Sequence, residues 1–220
     1  MKIIITGASG GIGSAVARRF LALGHEVFGI DLAPQTVSHD NYRHFTADIK
    51  NAQSLPDLPD AHVVFNNAGV QNSVDDISNN LLGAVNVTEK YAFGSGKLRS
   101  ILFNASASSI SGREFPLYAA SKAGLVGYMK NTAIRLAPRG VTCNAISLGG
   151  VYTPLNDPVV NDPRLWDKIM KVTPMKKWMD VSEVADWVVF LTLTNRSMSG
   201  QNILIDNGEN DLADTFVWPE

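Results

Sequence analysis

Apolar residues of this chain fall into two alternating patterns, short continuous runs and longer stretches with helical spacing. Residues 2–6 form the first run, and after it Ile12, Val16, Phe20 and Leu23 recur at the spacing of one helix face. Continuous runs of this length are typical of buried strands. The pattern predicts strands at residues 2–6, 26–30, 42–46, 61–66, 99–105, 140–146 and 202–205, and helices at residues 12–23, 74–91, 117–136 and 181–193.

The order of these elements predicts the fold class. Strands that alternate with helices need crossover connections, which produce a parallel sheet covered by helices on both faces. We therefore expect an α/β protein with a single doubly wound (Rossmann-like) parallel sheet. A length of 220 residues without an internal repeat predicts one domain, residues 1–220.

The stretch 153–174 carries four prolines and is the longest region without a clear strand. A long irregular insertion in a compact domain is usually a functional lid or a disordered segment. A short helix near residues 164–171 would carry the apolar residues Leu165, Trp166, Ile169 and Met170. We interpret the stretch as a flap that closes over something apolar; the alternative is a surface helix packed on the domain.

Composition and charge exclude several classes of function. The net charge is −2 and no basic patch stands out, so no nucleic-acid partner is expected. No apolar run approaches the length of a membrane span, so no membrane partner is expected either. The lone Cys143 cannot form an internal disulfide, which agrees with a cytoplasmic location. The four histidines lack metal-ligand spacing, so no metal is predicted.

A glycine-rich turn, residues 6–13, follows the first predicted strand and opens the first predicted helix. It contains Gly7, Gly11 and Gly13. At such a junction the backbone can approach a pyrophosphate, and the helix start offers free N–H groups and the positive end of the helix dipole. Asp31 ends the second strand, 18 residues after Gly13, where a carboxylate can accept hydrogen bonds from ribose hydroxyls. The sequence therefore predicts a dinucleotide site.

A second motif places Tyr118 and Lys122 four residues apart in a predicted helix. Positions i and i+4 share one helix face, so the ammonium lies near the phenol. An ammonium favours the phenolate and lowers the phenol pKa toward the working pH. Tyr118 can then exchange a proton with a reacting oxygen as a general acid or base. Such a pair alone also fits a solvated helix face, but chance is a poor explanation beside the glycine turn and Asp31.

Together these motifs make the chain similar to the short-chain dehydrogenase/reductase family, classical type, over nearly its whole length. That resemblance implies an oxidoreductase that transfers a hydride between nicotinamide and a small-molecule alcohol or ketone substrate. The segments that carry it are residues 6–13, Asp31, Asp48, residues 66–69, 80–83, 104–109, 118–122, 144–154 and 200–208.

The resemblance also implies the catalytic residues. Tyr118 would be the general acid/base, and Lys122 would lower its pKa and hold the nicotinamide ribose. Asn80 would hold a water in the proton relay, with Asn86 as an alternative.

For the cofactor, the resemblance implies NAD. Asp31 would repel the 2′ phosphate of NADP, and neither Gly10 nor residues 32–38 supply a Lys or Arg to bind that phosphate. Asp48 and Ile49 would contact the adenine ring. The implied cofactor site comprises Gly7, Ser9, Gly11, Ile12, Gly13, Asp31, Asp48, Ile49, Asn67, Ala68, Gly69, Tyr118, Lys122, Val151 and Thr153.

The serine expected to stabilise the substrate oxygen is ambiguous. If Asn104 is the family's Asn in Asn-x-Ser-Ser, the serine position falls on Ala107, whereas a shift of one residue places it on Ser106. Ser106 lies 12 residues before Tyr118, which agrees with the family spacing. We therefore prefer Ser106, with Ser108 second.

Two further departures affect the pocket. Leu148 stands where the family usually has proline before glycine. Only 13 residues separate Asn67 from Asn80, which indicates a trimmed entrance to the substrate pocket.

Two other functions stay open at this point. One is an NADPH-dependent 3-oxoacyl-(acyl-carrier-protein) reductase, against which Asp31 argues. The other is a non-catalytic dinucleotide-binding regulator, against which the retention of Asn80, Tyr118 and Lys122 argues, because a binding module needs no proton relay.

The resemblance suggests a homo-oligomer, a tetramer, in which the helices 74–91 and 117–136 pack across a two-fold axis. Leu125, Val126, Tyr128 and Met129 make the second helix apolar on more than one side. The apolar tail 216–218 (Phe-Val-Trp) also favours association.

Overall fold

A seven-stranded sheet lies at the centre of the computed structural model, which describes residues 1–210 and Leu212. Every neighbouring pair of strands is parallel. The strands are β1 (Lys2–Thr6), β2 (Glu26–Asp31), β3 (Tyr42–Thr46), β4 (Val63–Asn66), β5 (Ser100–Asn104), β6 (Thr142–Leu148) and β7 (Asn202–Ile205). Their order is β3-β2-β1-β4-β5-β6-β7, so the predicted doubly wound α/β class is confirmed.

The helices cover both faces of this sheet. The predicted helices are all present with shifted ends, and shorter ones occupy the connections. They are α1 (Gly11–Ala22), α2 (π-helical Ile77–Gly83, α-helical Ala84–Val87 and π-helical Thr88–Phe93), α3 (Ser108–Ser111), α4 (Pro116–Leu136), α5 (Asp157–Val160), α6 (Pro163–Val172) and α7 (Val181–Val189, continued by the π-helical Phe190–Thr194).

Burial explains why the strands are continuous apolar runs. Ile3 and Ile5 of β1 pack in the core under α1 and α7, whereas Ile4 packs in the core on the opposite face with residues of α2 and α4. All three are fully buried. A strand covered on both faces has no polar side, so it loses the alternation typical of half-exposed strands.

Two predicted bounds differ for identifiable reasons. The strand predicted at residues 140–146 runs instead from Thr142 to Leu148, because Gly140 turns in the left-handed region and the pairing with β7 extends to Leu148. The helix predicted from residue 74 begins at Ile77, because Asp76 and Ser73 exchange hydrogen bonds in a turn before it.

The predicted flap, residues 153–174, contains the short helices α5 and α6. Asp162 precedes α6 and caps it: its side chain accepts hydrogen bonds from the backbone N–H groups of Arg164 and Leu165. Trp166 of α6 packs edge-on against Trp178, with 5.2 Å between ring centroids. Leu165 is exposed, whereas Trp166 and Ile169 are half-buried, so α6 packs on the domain through the face that carries these two residues.

Candidate active site

A cavity of about 980 Å³ opens at the carboxyl ends of the strands, where the strand order reverses between β1 and β4. In doubly wound sheets this crevice is the usual place for a ligand. Asn80 is the one sequence-predicted site residue that does not line it. The residues that do are Gly7, Ser9, Gly11, Ile12, Gly13, Asp31, Asp48, Ile49, Asn67, Ala68, Gly69, Ser106, Tyr118, Lys122, Val151 and Thr153.

The glycine turn forms a cradle between β1 and α1. Gly7 has a φ of +66°, and a Cβ there would lie 2.8 Å from the Ala68 Cα. A Cβ on Gly13 would overlap the Gly7 carbonyl oxygen. Ser14 makes the first helical hydrogen bond, to the Gly10 carbonyl, so the preceding N–H groups of α1 have no acceptor within the helix. With no acidic residue in the first turn, this helix start suits an anion.

Asp31 fixes two loops at one end of the cavity. Its two carboxylate oxygens accept the Ser9 and Ala33 N–H groups, each at 2.9 Å. Each oxygen keeps a lone pair for a further donor, so the capping role and a ribose-binding role are compatible. Asp48 and Ile49 line the cavity beside it.

Arg18 is a residue that the sequence analysis missed at this end. It lies on α1, and its guanidinium donates to the Thr36 carbonyl at 2.9 Å, in the loop that follows Asp31. A cation was expected only in the glycine turn or in residues 32–38, whereas the tertiary fold brings Arg18 to this loop from the exposed face of α1.

Thr6 and Asn67 join the ends of β1 and β4. The Thr6 hydroxyl accepts the N–H groups of Asn67 and Ala68, both at 3.0 Å, and the Asn67 amide donates to the Thr6 and Gly7 carbonyls. Asn104, at the end of β5, donates to the Asn67 side-chain oxygen at 2.9 Å. The Asn67 side chain therefore links the start of the glycine turn to the end of β5.

Tyr118 and Lys122 lie near the start of α4, at the substrate end of the cavity. The Lys122 Nζ is 5.7 Å from the centre of the Tyr118 ring and donates to the Asn104 carbonyl at 2.7 Å. Both serines left open line the cavity, with 3.1 Å between their hydroxyl oxygens, and Ser106 is the one whose hydroxyl lowers the pKa of Tyr118. The geometry therefore brings Ser106, Tyr118 and Lys122 together.

Burial dominates the electrostatics of this group. It raises the pKa of Tyr118 to about 12, against the lowering by the Ser106 hydrogen bond, and it lowers the pKa of Lys122 to about 8. The expected lowering of the phenol pKa by Lys122 stays a prediction, because the burial of the phenol outweighs the other influences here. The ammonium is itself desolvated and directed at the Asn104 carbonyl, so burial of the phenol prevails.

Asn80 fixes the loop that follows Gly69. Its side-chain oxygen accepts the Val70 N–H at 2.8 Å, and its amide donates to the Val70 carbonyl and the Ser121 hydroxyl. The residue is 1% exposed. Its alternative, Asn86, donates to the Ile49 and Lys50 carbonyls. The structure thus places both asparagines in loop-positioning contacts.

The wall opposite Tyr118 comes from the segment after β6 and from the flap. Leu148 ends β6 and accepts the Ala107 N–H at 2.8 Å, so the chain stays in the sheet where the family has proline. Trp178 lies directly against Gly150, where any Cβ would overlap its indole. These contacts were missed because their partners are distant in sequence. The apolar residues added to the wall are Leu155, Val159, Ile169 and Trp178.

The residues present fit a dinucleotide with a nicotinamide ribose near Lys122. The Asn104 side-chain oxygen is buried without a hydrogen-bond partner, and the Lys122 ammonium has two N–H groups beyond the one given to the Asn104 carbonyl. A ribose hydroxyl satisfies such donors and acceptors.

Within residues 1–210 and Leu212, two kinds of feature are missing. No helix there combines the length and apolar character needed to cross a membrane. Nor does this part of the chain hold a group of His, Cys, Asp or Glu side chains that could bind a metal ion.

Comparisons with known proteins agree with the fold and the site. Residues 7–210 match the family model described as enoyl-(acyl carrier protein) reductase. Glucose 1-dehydrogenase of Gluconobacter oxydans is 29% identical, over 94% of this chain and 91% of that protein. The 3-oxoacyl-(acyl-carrier-protein) reductase of Buchnera aphidicola is 27% identical, over 93% and 95%. An oxidoreductase of the short-chain dehydrogenase/reductase family from Burkholderia thailandensis superposes with a TM-score of 0.86 and 27% identity, over 94% and 92%.

The buried Lys122 leads to a stability prediction. Folding lowers its pKa from 10.5 to about 8, so the folded state binds the proton more weakly than the unfolded state. The lowered pKa therefore reduces the free energy of unfolding, fully below pH 8 and not at all above pH 10.5. Lys122→Met should therefore raise the free energy of unfolding at neutral pH by about 1–3 kcal/mol, after loss of the hydrogen bond to Asn104.

Urea denaturation near pH 7 and near pH 10.5 measures the free energy of unfolding of the wild type and of Lys122→Met. The stability gained by the substitution should be smaller at the higher pH. The control, Lys130→Met on the exposed face of α4, should change the free energy of unfolding little at either pH. A Lys122→Met variant that is less stable than the wild type near pH 7 contradicts the prediction.

Proposed function

The chain belongs to the short-chain dehydrogenase/reductase family, and from this premise we propose that it is an NAD(H)-dependent oxidoreductase with Tyr118 as general acid/base. Such an enzyme acts on alcohol or carbonyl groups. The observation that carries the proposal is the meeting of Ser106, Tyr118 and Lys122 in the same cavity as the glycine turn and Asp31.

The chemistry divides between the cofactor and the side chains. The nicotinamide, when bound, supplies or accepts the hydride. In carbonyl reduction Tyr118 donates its phenolic proton to the substrate oxygen, and in alcohol oxidation it accepts that proton. Ser106 donates a hydrogen bond to the same oxygen. A phenol with a pKa near 12 is protonated at neutral pH, which is the form that reduction needs.

The other residues bind and orient. The free N–H groups at the start of α1 would bind the pyrophosphate, and Lys122 would hold the nicotinamide ribose. Asp31 would accept a hydrogen bond from an adenosine ribose hydroxyl. Val151 and Thr153, which line the same cavity, would hold the nicotinamide end.

A second candidate is an NADPH-dependent 3-oxoacyl-(acyl-carrier-protein) reductase. It is supported by the Buchnera aphidicola relative and by Arg18, a cation beside the loop that follows Asp31. The Asp31 carboxylate, which lines the cavity, opposes it, because a carboxylate there would repel a 2′ phosphate. A non-catalytic regulator is less well supported, since it needs no serine beside the phenol.

Replacement of the phenol tests the catalytic assignment. Tyr118→Phe should lower turnover about 10²- to 10⁴-fold or more while NADH still binds, because the proton is lost but the cofactor contacts are spread over the cavity. Turnover is measured with NAD⁺ on D-glucose and 2-butanol, and with NADH on ethyl acetoacetate and acetoacetyl-coenzyme A. Tyr128→Phe, whose hydroxyl donates to Glu89 away from the cavity, is the matched control. Near-normal activity of Tyr118→Phe rejects the assignment.

Cofactor preference depends on Asp31. A phosphate about 4 Å from a carboxylate costs a few kcal/mol in a partly screened site, enough for a hundredfold or more in affinity. Calorimetric titration should show tighter binding of NADH than of NADPH, and Asp31→Ala should narrow the gap. Arg18→Ala is the companion variant, because it weakens the binding of NADPH more than that of NADH only if the Arg18 guanidinium contacts the 2′ phosphate. Equal or tighter binding of NADPH by the wild type overturns the preference for NAD(H).

Assembly into a homotetramer is also proposed, although part of its sequence argument is wrong. Leu125 and Met129 are buried in the protomer's own core, and the tail 216–218 lies outside the described residues. What supports association is exposed apolar surface: Leu82 of α2, Ile134 of α4, and Trp187 and Phe190 at α7. The predicted cytoplasmic location stays a prediction.

Light scattering at micromolar concentration measures the assembly directly. The wild type should have the mass of four chains, and Ile134→Glu should reduce that mass, because a charge would be placed in an apolar contact. Val172→Glu, at an exposed valine of the flap, is the control. A monomeric wild type refutes the proposal.

A further inference from the structure

A set of hydrogen bonds connects the glycine turn to the loop that follows Asp31. The Thr36 hydroxyl donates to the Ser9 carbonyl at 3.2 Å, and the Ser9 hydroxyl donates to the Ala33 carbonyl at 3.4 Å. From α1, the Arg18 guanidinium donates to the Thr36 carbonyl at 2.9 Å. We call Ser9, Arg18, Ala33 and Thr36 the clasp, because together they hold the loop against the turn and the first helix.

The clasp determines the orientation of the Asp31 carboxylate. One carboxylate oxygen accepts the Ser9 N–H and the other accepts the Ala33 N–H, each at 2.9 Å. Because both donors belong to the clasp, a shift of the loop would move the Ala33 donor and turn the carboxylate. Asp31 is half-buried and lines the cavity, and its oxygens keep lone pairs for a further donor.

The loop itself has little apolar support. Residues 32–36 are exposed, and Val37 is the first buried residue after Asp31, in the same core cluster as Val16 and Phe20 of α1. An exposed stretch loses conformational freedom when a ligand orders it, and restraint in the free protein reduces that loss on binding. We therefore expect the affinity for the adenosine half of a dinucleotide to depend on the hydrogen bonds that restrain this loop.

The contact of Arg18 distinguishes between two roles for this cation. A guanidinium at the adenosine end of the cavity can bind a 2′ phosphate, or it can hold the protein around the ribose. Asp31 and Ala33 line the cavity, whereas Arg18 and Thr36 do not. The guanidinium is directed at the Thr36 carbonyl, so it acts on a ligand through the loop that it holds.

We propose that Arg18 and Thr36 are positioning residues for the preference for NAD(H): they hold the loop so that Asp31 accepts the ribose 2′ hydroxyl and repels a 2′ phosphate. The role of the clasp rests on the proposed function, which assigns Asp31 to the adenosine ribose. Loss of one of the three hydrogen bonds should loosen the loop without releasing it. Binding of the adenosine half should weaken, whereas hydride and proton transfer at the other end of the cavity should be unchanged.

Two cofactor fragments test the clasp by binding alone, without turnover. ADP-ribose carries the 2′ hydroxyl, and 2′-phospho-ADP-ribose carries the phosphate. Calorimetric titration should show that Arg18→Met weakens the binding of ADP-ribose about three- to tenfold, the range expected for one hydrogen bond from a charged donor. The binding of 2′-phospho-ADP-ribose should weaken less, because a looser Asp31 also repels the phosphate less, so the preference for ADP-ribose should narrow.

Two further variants examine the same hydrogen bonds independently. Arg18→Lys keeps a cationic donor and should recover most of the affinity for ADP-ribose. Thr36→Val removes the hydroxyl that donates to the Ser9 carbonyl but keeps the branched side chain, and it should narrow the preference in the same direction as Arg18→Met.

Arg19→Met is the matched control. Arg19 is exposed on the same helix, but its guanidinium binds Asp186 of α7 at 2.8 Å, so both affinities should stay at the wild-type value. In NAD⁺-linked oxidation of whichever of D-glucose and 2-butanol the wild type oxidises faster, Arg18→Met should raise KM for NAD⁺ and keep kcat within about twofold. On an Asp31→Ala background, Arg18→Met should not change the ratio of the two fragment affinities, because the carboxylate through which it acts is absent.

The possible outcomes separate the clasp from the proposed function. The clasp is wrong if the wild type prefers ADP-ribose and Arg18→Met keeps that preference and affinity. It is also wrong if Arg18→Met weakens the binding of 2′-phospho-ADP-ribose more than that of ADP-ribose, since Arg18 would then be a phosphate ligand. A wild type that binds both fragments equally contradicts the proposed preference for NAD(H), and this role of Arg18 with it.

Discussion

The hydrogen bonds that tie Thr6 to Asn67 determine the geometry of the cavity. They join the ends of the neighbouring strands β1 and β4, at the point where the strand order reverses. The Asn67 side-chain oxygen in turn accepts a hydrogen bond from the Asn104 amide, and the Asn104 backbone carbonyl accepts one from the Lys122 ammonium. One continuous network therefore runs from the glycine turn across three strands to α4. The glycine turn and the start of α4 are thereby fixed relative to each other across the cavity.

The same network explains how a lysine can be buried without an ion-pair partner among residues 1–210 and Leu212. Lys122 is 4% exposed, and its ammonium has a carbonyl rather than a carboxylate as acceptor. Desolvation of a charge is costly, and a neighbouring carboxylate would reduce that cost. A carboxylate would also engage the ammonium fully and leave no donor for a ribose. The site thus accepts a destabilised lysine in the free protein and keeps its remaining N–H groups available for the ligand.

Sequence reasoning succeeded where local pattern determines structure. The apolar runs located the strands because a doubly covered strand has no polar side. The choice of Ser106 over Ser108 stays a prediction, because both hydroxyls line the cavity. Sequence reasoning failed where distant segments meet: Arg18 at the adenosine end and Trp178 on Gly150 have no local indication. Asn207, which departs from the family's glycine, has a φ of +57°, and asparagine tolerates that region better than most residues.

The two ends of the cavity differ in what holds them, and this difference separates chemistry from specificity. At the cofactor end, contacts come from the backbone of strand ends and a helix start, which most substitutions leave in place. At the Tyr118 end, Gln71, Glu114 and Glu209 come from three separate loops, and Glu114 has a positive φ that non-glycine residues rarely adopt. Loops of this kind can change length and charge without disturbing the sheet. Glu114 keeps its left-handed backbone conformation there outside regular structure, so changes in the loop after α3 are expected to alter this end of the cavity without disturbing the strand ends.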